Sequence, residues 1–172
     1  MKKHILQLFI VIAPILASCT QHPSDNVSNM VRGNEKAIAE LTEAARTVCK
    51  SCPIKTDDNM VLEGATFSHN QWTYHYVVKE DSVVNFNLAD QNASIREGLK
   101  QSTQRHITES IDMITMLRAL VQANADLIYE YRGNESGKTI RVQFTFAEIR
   151  VMVDAMTNYY SNMYRMHGSP YK

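Results

Sequence analysis

The chain has 172 residues, of which 44% are hydrophobic and 21% charged, with 18 basic against 18 acidic side chains and three cysteines. This length and composition are typical of one ordinary globular domain and leave no room for two large cores. Balanced charge offers no electrostatic attraction for nucleic acid, and three cysteines are too few for a disulfide scaffold.

The first predicted element is a secretory signal peptide. A short basic start, Met1 to His4, precedes a mostly apolar run over residues 5–16 that Pro14 interrupts, which is the layout of an export signal. As a helix, this run would cover roughly 18 Å, well short of the roughly 30 Å hydrocarbon core of a bilayer. The segment is therefore predicted to direct export and not to remain as a transmembrane helix.

The apolar run ends in Leu16-Ala17-Ser18-Cys19, which resembles the lipobox of bacterial lipoproteins. The resemblance implies that a diacylglyceryl group is attached to Cys19, that residues 1–18 are removed, and that the new amino terminus is acylated, with palmitate as an expected fatty acid. Two or more acyl chains hold a protein stably on a membrane. Thr20 follows the cysteine instead of the aspartate that retains some of these lipoproteins at the inner membrane, so the resemblance favours the outer membrane, facing the periplasm or the cell surface. The alternative is an ordinary signal peptide that happens to end in cysteine.

The mature chain is predicted to consist of a tether and one folded domain. Residues 19–33 are polar, contain Pro23 and show no sustained hydrophobic period, which is typical of a flexible tether that links lipid to domain. Residues 34–172 are expected to form a single α+β domain.

Hydrophobic periodicity predicts the elements of this domain in the order helix, hairpin, helix, hairpin, helix. Thr145 and Glu148 have the spacing of a capping box, which marks the start of the last helix. The predicted helices span residues 34–50, 93–124 and 145–165, and the predicted strands span residues 60–68, 72–79, 127–132 and 139–144.

We expect the two hairpins to join in one four-stranded antiparallel sheet under the helices, because a hairpin that is apolar on one face is not stable alone in water. The arrangement also resembles small uncharacterised envelope lipoproteins, and that resemblance implies no known activity. The matching pieces are Cys52-Pro53-Ile54, Asp57-Asp58, Trp72 to Val78, and Ser136-Gly137-Lys138.

Cys49-Lys50-Ser51-Cys52 is a CxxC motif in an exported chain. A thiol-disulfide oxidoreductase places this motif at the start of a helix, where the helix dipole lowers the pKa of the thiol. Here the motif closes a predicted helix, so the dipole disfavours the thiolate. The sequence therefore favours a structural disulfide between Cys49 and Cys52 and leaves the oxidoreductase as the alternative function.

A second candidate site is a set of aromatic side chains on the predicted strands. If the hairpins pair, these residues share one face of the sheet, which either packs against the helices or lies open to a sugar or a partner protein. The set consists of Trp72, Tyr74, Tyr76, Tyr129 and Tyr131.

Three other features have structural and functional interpretations. Residues 133–139 look like a phosphate-binding loop. However, three residues separate the glycines instead of four, and a strand follows instead of a helix. We therefore expect a hairpin turn that does not bind a nucleotide. His106 lies in the apolar stripe of the predicted long helix, where it is either a core histidine or a ligand or pH sensor. No two histidines have the spacing of a local metal pair. The last predicted helix has an apolar stripe that either packs in the core or docks on a partner or on a second copy of the chain. The stripe consists of Met152, Met156, Tyr160 and Met163, within an apolar set that also contains Tyr159, Tyr164 and Met166.

The sequence contains no recognisable nucleophile motif, metal-ligand spacing or cofactor signature. We therefore expect a non-catalytic envelope lipoprotein, held on the membrane through Cys19, whose domain serves as a binding or assembly module. Its expected partner is an envelope protein or a glycan, with no cofactor and no metal.

Overall fold

The computed structural model describes residues 27–81, 86, 89–111 and 113–167. The predicted signal peptide and Cys19 lie outside these residues. Among the described helices, none is both long and apolar enough to cross a membrane. The elements are α1 Val27–Ser51, β1 Ile54–Asp57, β2 Met60–Ser68, β3 Gln71–Val78, α2 Ala89–Glu109, α3 Met113–Gln122, β4 Asp126–Gly133, β5 Thr139–Phe144 and α4 Phe146–His167.

The strands form one five-stranded sheet in the order β1-β2-β3-β4-β5. The pairs β1/β2, β2/β3 and β4/β5 are antiparallel, whereas β3 and β4 run parallel, with Tyr74 opposite Tyr129. Both predicted hairpins are confirmed, but the predicted four-stranded antiparallel sheet is wrong. Between β3 and β4 the chain passes through α2 and α3. A crossover of this length brings the chain back to the end of the sheet at which β3 begins, so β4 runs parallel to β3.

The sheet also contains a strand that periodicity did not predict. β1 has four residues and pairs with β2, with Ile54 opposite Leu62 and a bulge between Lys55 and Asp57. One apolar side chain in four residues is too weak a pattern to distinguish a strand from a turn.

The helices differ from the prediction in two places. The predicted long helix over residues 93–124 is two helices, because the chain turns tightly after Glu109: the Met113 and Ile114 amides donate to the carbonyls of Ser110 and Ile111 at 3.2 and 3.1 Å. α1 begins at Val27, so its first turns include residues that the sequence analysis assigned to the tether.

The core lies between the helices and one face of the sheet. α1 packs on β2, α3 packs between α1 and α4, and α2 packs on β5. The predicted capping box is confirmed at the start of α4, where the Thr145 amide donates to Glu148 Oε2 at 2.8 Å. The largest fully buried side chains include Trp72, Tyr74, Tyr129, Phe86, Phe144, Leu41, Leu62, Ile107, Leu117, Leu120 and Leu127.

Candidate functional site

The aromatic set of β3 and β4 lies in the core and is not open to a ligand. All five side chains are at most 5% exposed, and the Tyr76 ring stacks on Tyr131 with a centroid separation of 5.4 Å. Burial raises the pKa of all four tyrosines, that of Tyr131 to about 12. Of the two interpretations of this set, the structure supports packing against the helices.

Cys49 and Cys52 lie at the carboxyl end of α1 as free thiols, so the predicted disulfide is not supported. The Cys49 thiol donates to the Ala65 carbonyl at 3.1 Å, and a Cβ on Gly64 would lie 3.3 Å from its sulfur. Cys49 is thus an exposed residue whose thiol contacts β2.

The electrostatics of the pair follow from its position in the last turn of the helix. The Cys52 amide donates to the Val48 carbonyl at 3.1 Å, where the dipole is negative. Burial and the nearby Cys49 raise the pKa of the Cys52 thiol. A raised pKa reduces the thiolate fraction that disulfide exchange requires.

The loop that looks like a phosphate site binds a carboxylate of the chain itself. Glu80 Oε2 accepts the amides of Glu135 and Ser136 at 3.0 and 2.7 Å, and Glu80 Oε1 accepts the Phe86 amide at 3.1 Å. These hydrogen bonds, that of Ser136 foremost, hold the pKa of Glu80 below its usual value. The predicted hairpin turn is confirmed, and its amides serve as the anion site for Glu80.

A row of polar side chains crosses the sheet on the face opposite the aromatic core. His75 Nε2 lies 3.0 Å from the Thr66 hydroxyl, and His75 Nδ1 lies 3.1 Å from Glu130 Oε1. Arg141 Nε lies 3.8 Å from the other oxygen of Glu130. Sequence reasoning missed this row because its members come from four strands, and only strand register brings them together.

This row makes that side of the sheet polar. His106, the histidine that the sequence offered as a ligand or pH sensor, is half-buried on α2. Within the described ranges, no three His, Cys, Asp or Glu side chains lie close enough together to hold a metal ion.

Among the described residues, three of the four exposed large hydrophobic side chains lie on α4. Its inner face contributes Ile149, Met152, Val153 and Met156 to the core. Its outer face has apolar residues at every fourth position, so they form one ridge along the helix. Val151 is 68% exposed and Tyr159 is 62% exposed. We call this ridge the α4 stripe; it consists of Ala147, Val151, Ala155 and Tyr159.

The predicted Met and Tyr stripe of this helix shares no residue with the α4 stripe. Met152 and Met156 are buried, Tyr160 is half-buried, and Met163 is 37% exposed. The periodicity thus predicted the packing face of α4, and of the α4 stripe only Tyr159 was among the residues considered for docking. The fourfold spacing was a readable signal, but two alanines weaken it because alanine is common on both helix faces.

A pocket of about 320 Å³ opens beside the stripe, where α2, β5 and α4 meet. Lys100 borders it: its ammonium donates to Glu148 Oε1 at 2.9 Å and lies 5.6 Å from the centroid of the Phe144 ring. The Lys100 hydrogen bond, followed by that of Thr145, lowers the pKa of Glu148. The pocket is lined by Gln104, Phe144, Ala147, Glu148, Val151 and Met152.

An exposed apolar ridge beside a pocket that can take one side chain is the arrangement that anchors protein interfaces. Among the described residues, the α4 stripe and this pocket therefore form the candidate functional site. It contains no strongly nucleophilic group. Its polar side-chain atoms belong to the Lys100–Glu148 ion pair, the Gln104 amide and the Tyr159 hydroxyl.

Comparison with known proteins places the chain in a family and a fold. A family model described as a domain of unknown function, DUF8479, matches residues 34–141. A search of curated protein sequences finds no significant match.

Two solved structures have a similar fold. One is a protein from Pseudomonas aeruginosa assigned as secreted, with 14% identity and a TM-score of 0.50 over 74% of this chain and 100% of that chain. The other is the pilotin of the Vibrio vulnificus type 2 secretion system, with 12% identity and a TM-score of 0.51 over 69% of this chain and 96% of that chain.

Proposed function

The chain belongs to the DUF8479 family of domains of unknown function, and from that premise we propose that it is a lipid-anchored protein of the cell envelope. In this proposal its domain binds another protein through the α4 stripe and performs no catalysis. The observation on which the proposal depends is the exposed apolar ridge with a side-chain-sized pocket beside it.

The envelope location is supported by the amino-terminal sequence and by the fold. The lipobox resemblance at residues 16–19 implies export and acylation of Cys19. The two similar structures belong to a protein assigned as secreted and to a pilotin of a secretion system. A partner that is itself part of an envelope assembly agrees with both observations.

A protein partner explains the surface better than a glycan does. Sugar binding by this domain would depend on the strand aromatics as a stacking platform, and those rings are buried. The α4 stripe offers instead two large exposed side chains, Val151 and Tyr159, that alternate with two alanines. Such a surface accepts the ridge of another helix.

The oxidoreductase alternative is not supported by the state of the two thiols. The Cys52 pKa is raised, and the Cys49 thiol is hydrogen bonded to a strand carbonyl. An attacking cysteine in such an enzyme needs a stabilised thiolate. The raised pKa of Cys52 disfavours its thiolate.

The proposal is tested by co-purification of the tagged full chain from cross-linked envelopes. We expect a defined partner that is lost when Val151→Glu places a charge on the α4 stripe. Thr139→Glu is the matched control, because it adds the same charge at an exposed position on β5, away from α4. Equal recovery of the partner with both variants, or no partner with the unaltered chain, would show that the α4 stripe is not a binding surface.

A further inference from the structure

We infer that the partner bound at the α4 stripe is a second copy of this chain, packed antiparallel along α4 across a twofold axis near position 153. This inference rests on the proposed function and names the occupant of the same surface. Three features of α4 support it: the spacing of the ridge, the match between an exposed side chain and the pocket, and the order of the flanking charges.

The ridge is symmetric about its centre. Val151 and Ala155 lie two residues on either side of position 153, and Ala147 and Tyr159 lie six residues on either side. At 1.5 Å per residue, the outer pair lies about 9 Å from the centre in each direction. Ridges with fourfold spacing pack against each other in the commonest class of helix contact. An antiparallel copy thus places each Val151 beside the other Ala155 and each Tyr159 beside the other Ala147.

The same pairing brings an exposed aromatic ring to the pocket. Tyr159 is 62% exposed, and the position opposite it, Ala147, lines the pocket together with Phe144. The pocket is lined mostly by apolar side chains, and Glu148 is one of its polar lining residues. This arrangement suits a tyrosine, which buries its ring and keeps its hydroxyl near a polar acceptor. A twofold contact repeats the anchor, so each copy both inserts a ring and receives one.

The charges beside the stripe are complementary under the same axis. Arg150 and Asp154 are both exposed and lie one turn apart on the ridge next to the stripe. Across a twofold axis near position 153, the Arg150 of one copy and the Asp154 of the other lie on the same side of the apolar contact. Two reciprocal ion pairs then flank the apolar contact. The opposite charges thus lie where a second copy needs them.

The test uses the full chain, expressed in two forms with different affinity tags in the same cells. In both forms the photo-reactive amino acid p-benzoylphenylalanine replaces Asn158, an exposed residue at the edge of the stripe. We expect irradiation to give an adduct that has both tags and the mass of two chains. The same amino acid in place of Thr139 serves as the control position and should not give this adduct.

Charge exchange separates a specific interface from loss of folding. Arg150→Asp alone brings like charges together and should lower the yield of the double-tagged adduct about tenfold, as two lost exposed ion pairs would. Arg150→Asp combined with Asp154→Arg restores opposite charges across the axis and should restore the yield.

The outcomes distinguish this inference from the proposed function. Adducts with a different protein alone, all dependent on Val151, would overturn self-association and leave the proposed function supported. The absence of any adduct at position 158 would overturn both. A double-tagged adduct that the single and the double charge variants reduce equally would overturn the antiparallel arrangement.

Discussion

Replacing Gly133 with alanine should destabilise the protein by displacing a buried carboxylate. A Cβ at this position would lie 2.6 Å from Cδ of Glu80 and 2.8 Å from Oγ of Ser136, both inside van der Waals contact. The two groups cannot move apart freely, because Glu80 accepts the Ser136 amide at 2.7 Å. The substitution therefore forces the carboxylate out of the turn that connects β4 and β5.

The magnitude follows from the cost of overpacking, which is typically about 1–3 kcal/mol. For a chain of this size, a loss of about 2 kcal/mol lowers the midpoint of thermal unfolding by about 4–8 °C. Gly98 is the matched control, because it lies within α2 and a Cβ there meets nothing within 4 Å. Gly98→Ala should stabilise the protein by about 0.5–1 kcal/mol, since alanine is the better helix former.

The assay is urea unfolding followed by circular dichroism on the soluble chain that begins at Thr20. A double-mutant cycle with Glu80→Ala isolates the contact: once the carboxylate is gone, Gly133→Ala should cost less than it does alone. Strictly additive losses would refute the steric explanation. So would a Gly133→Ala variant as stable as the unaltered chain.

Four further outcomes are expected. The folded state favours the neutral phenol of the buried tyrosines, including Tyr131 with its pKa of about 12. Their contribution to stability is therefore complete below pH 10 and is lost as the pH rises above it. A 295 nm titration in which all eight tyrosines ionise near pH 10 without loss of secondary structure would contradict this expectation. Thr145→Ala should cost about 1 kcal/mol as a lost helix cap. Because the pKa of Glu148 is lowered, the ionised Glu148 carboxylate stabilises the fold above pH 4.5, and this stabilisation is lost as the pH falls further. Glu148→Gln should therefore destabilise the protein less at pH 3 than at pH 7. Cys19→Ala should abolish labelling with a fatty-acid analogue and release the chain from membranes, and a variant that is still labelled would exclude lipidation at Cys19.

Alternation of apolar and polar residues was enough to locate β2 to β5, and in both hairpins it also predicted the partner strand, because short turns allow only an antiparallel return. It could not predict how the hairpins join. The side chains of Tyr74 and Tyr129 lie on the same face whether their strands run parallel or antiparallel, since the period of two is the same in both. The relative direction of β3 and β4 depends on the segment that connects them through α2 and α3. A segment of that length is typical of a crossover between parallel strands, so its length favours the parallel pairing.

The pocket of the candidate site and the surroundings of the two cysteines were harder to predict than the fold, because the residues that form them are distant in sequence. Cys49 and Cys52 were visible as a motif, and their place at the end of α1 was predicted correctly, but contact with Gly64 and Ala65 on β2 depends on tertiary packing. The pocket combines Gln104 with residues of β5 and α4, and no local pattern predicts that combination.

The features that make this chain recognisable are mostly parts of the scaffold. Asp57 and Asp58 close the β1–β2 turn, where Asp57 Oδ1 accepts the Asn59 amide at 2.7 Å, and Ser136 holds the Glu80 carboxylate. The family match ends at residue 141, and α4 begins at Phe146. A match to these residues therefore predicts the sheet and its turns without predicting what the domain binds. If the α4 stripe is the binding surface, partner choice on this scaffold is decided by the outer residues of α4, and exchanging that helix between two proteins of this fold should exchange their partners and leave the sheet intact.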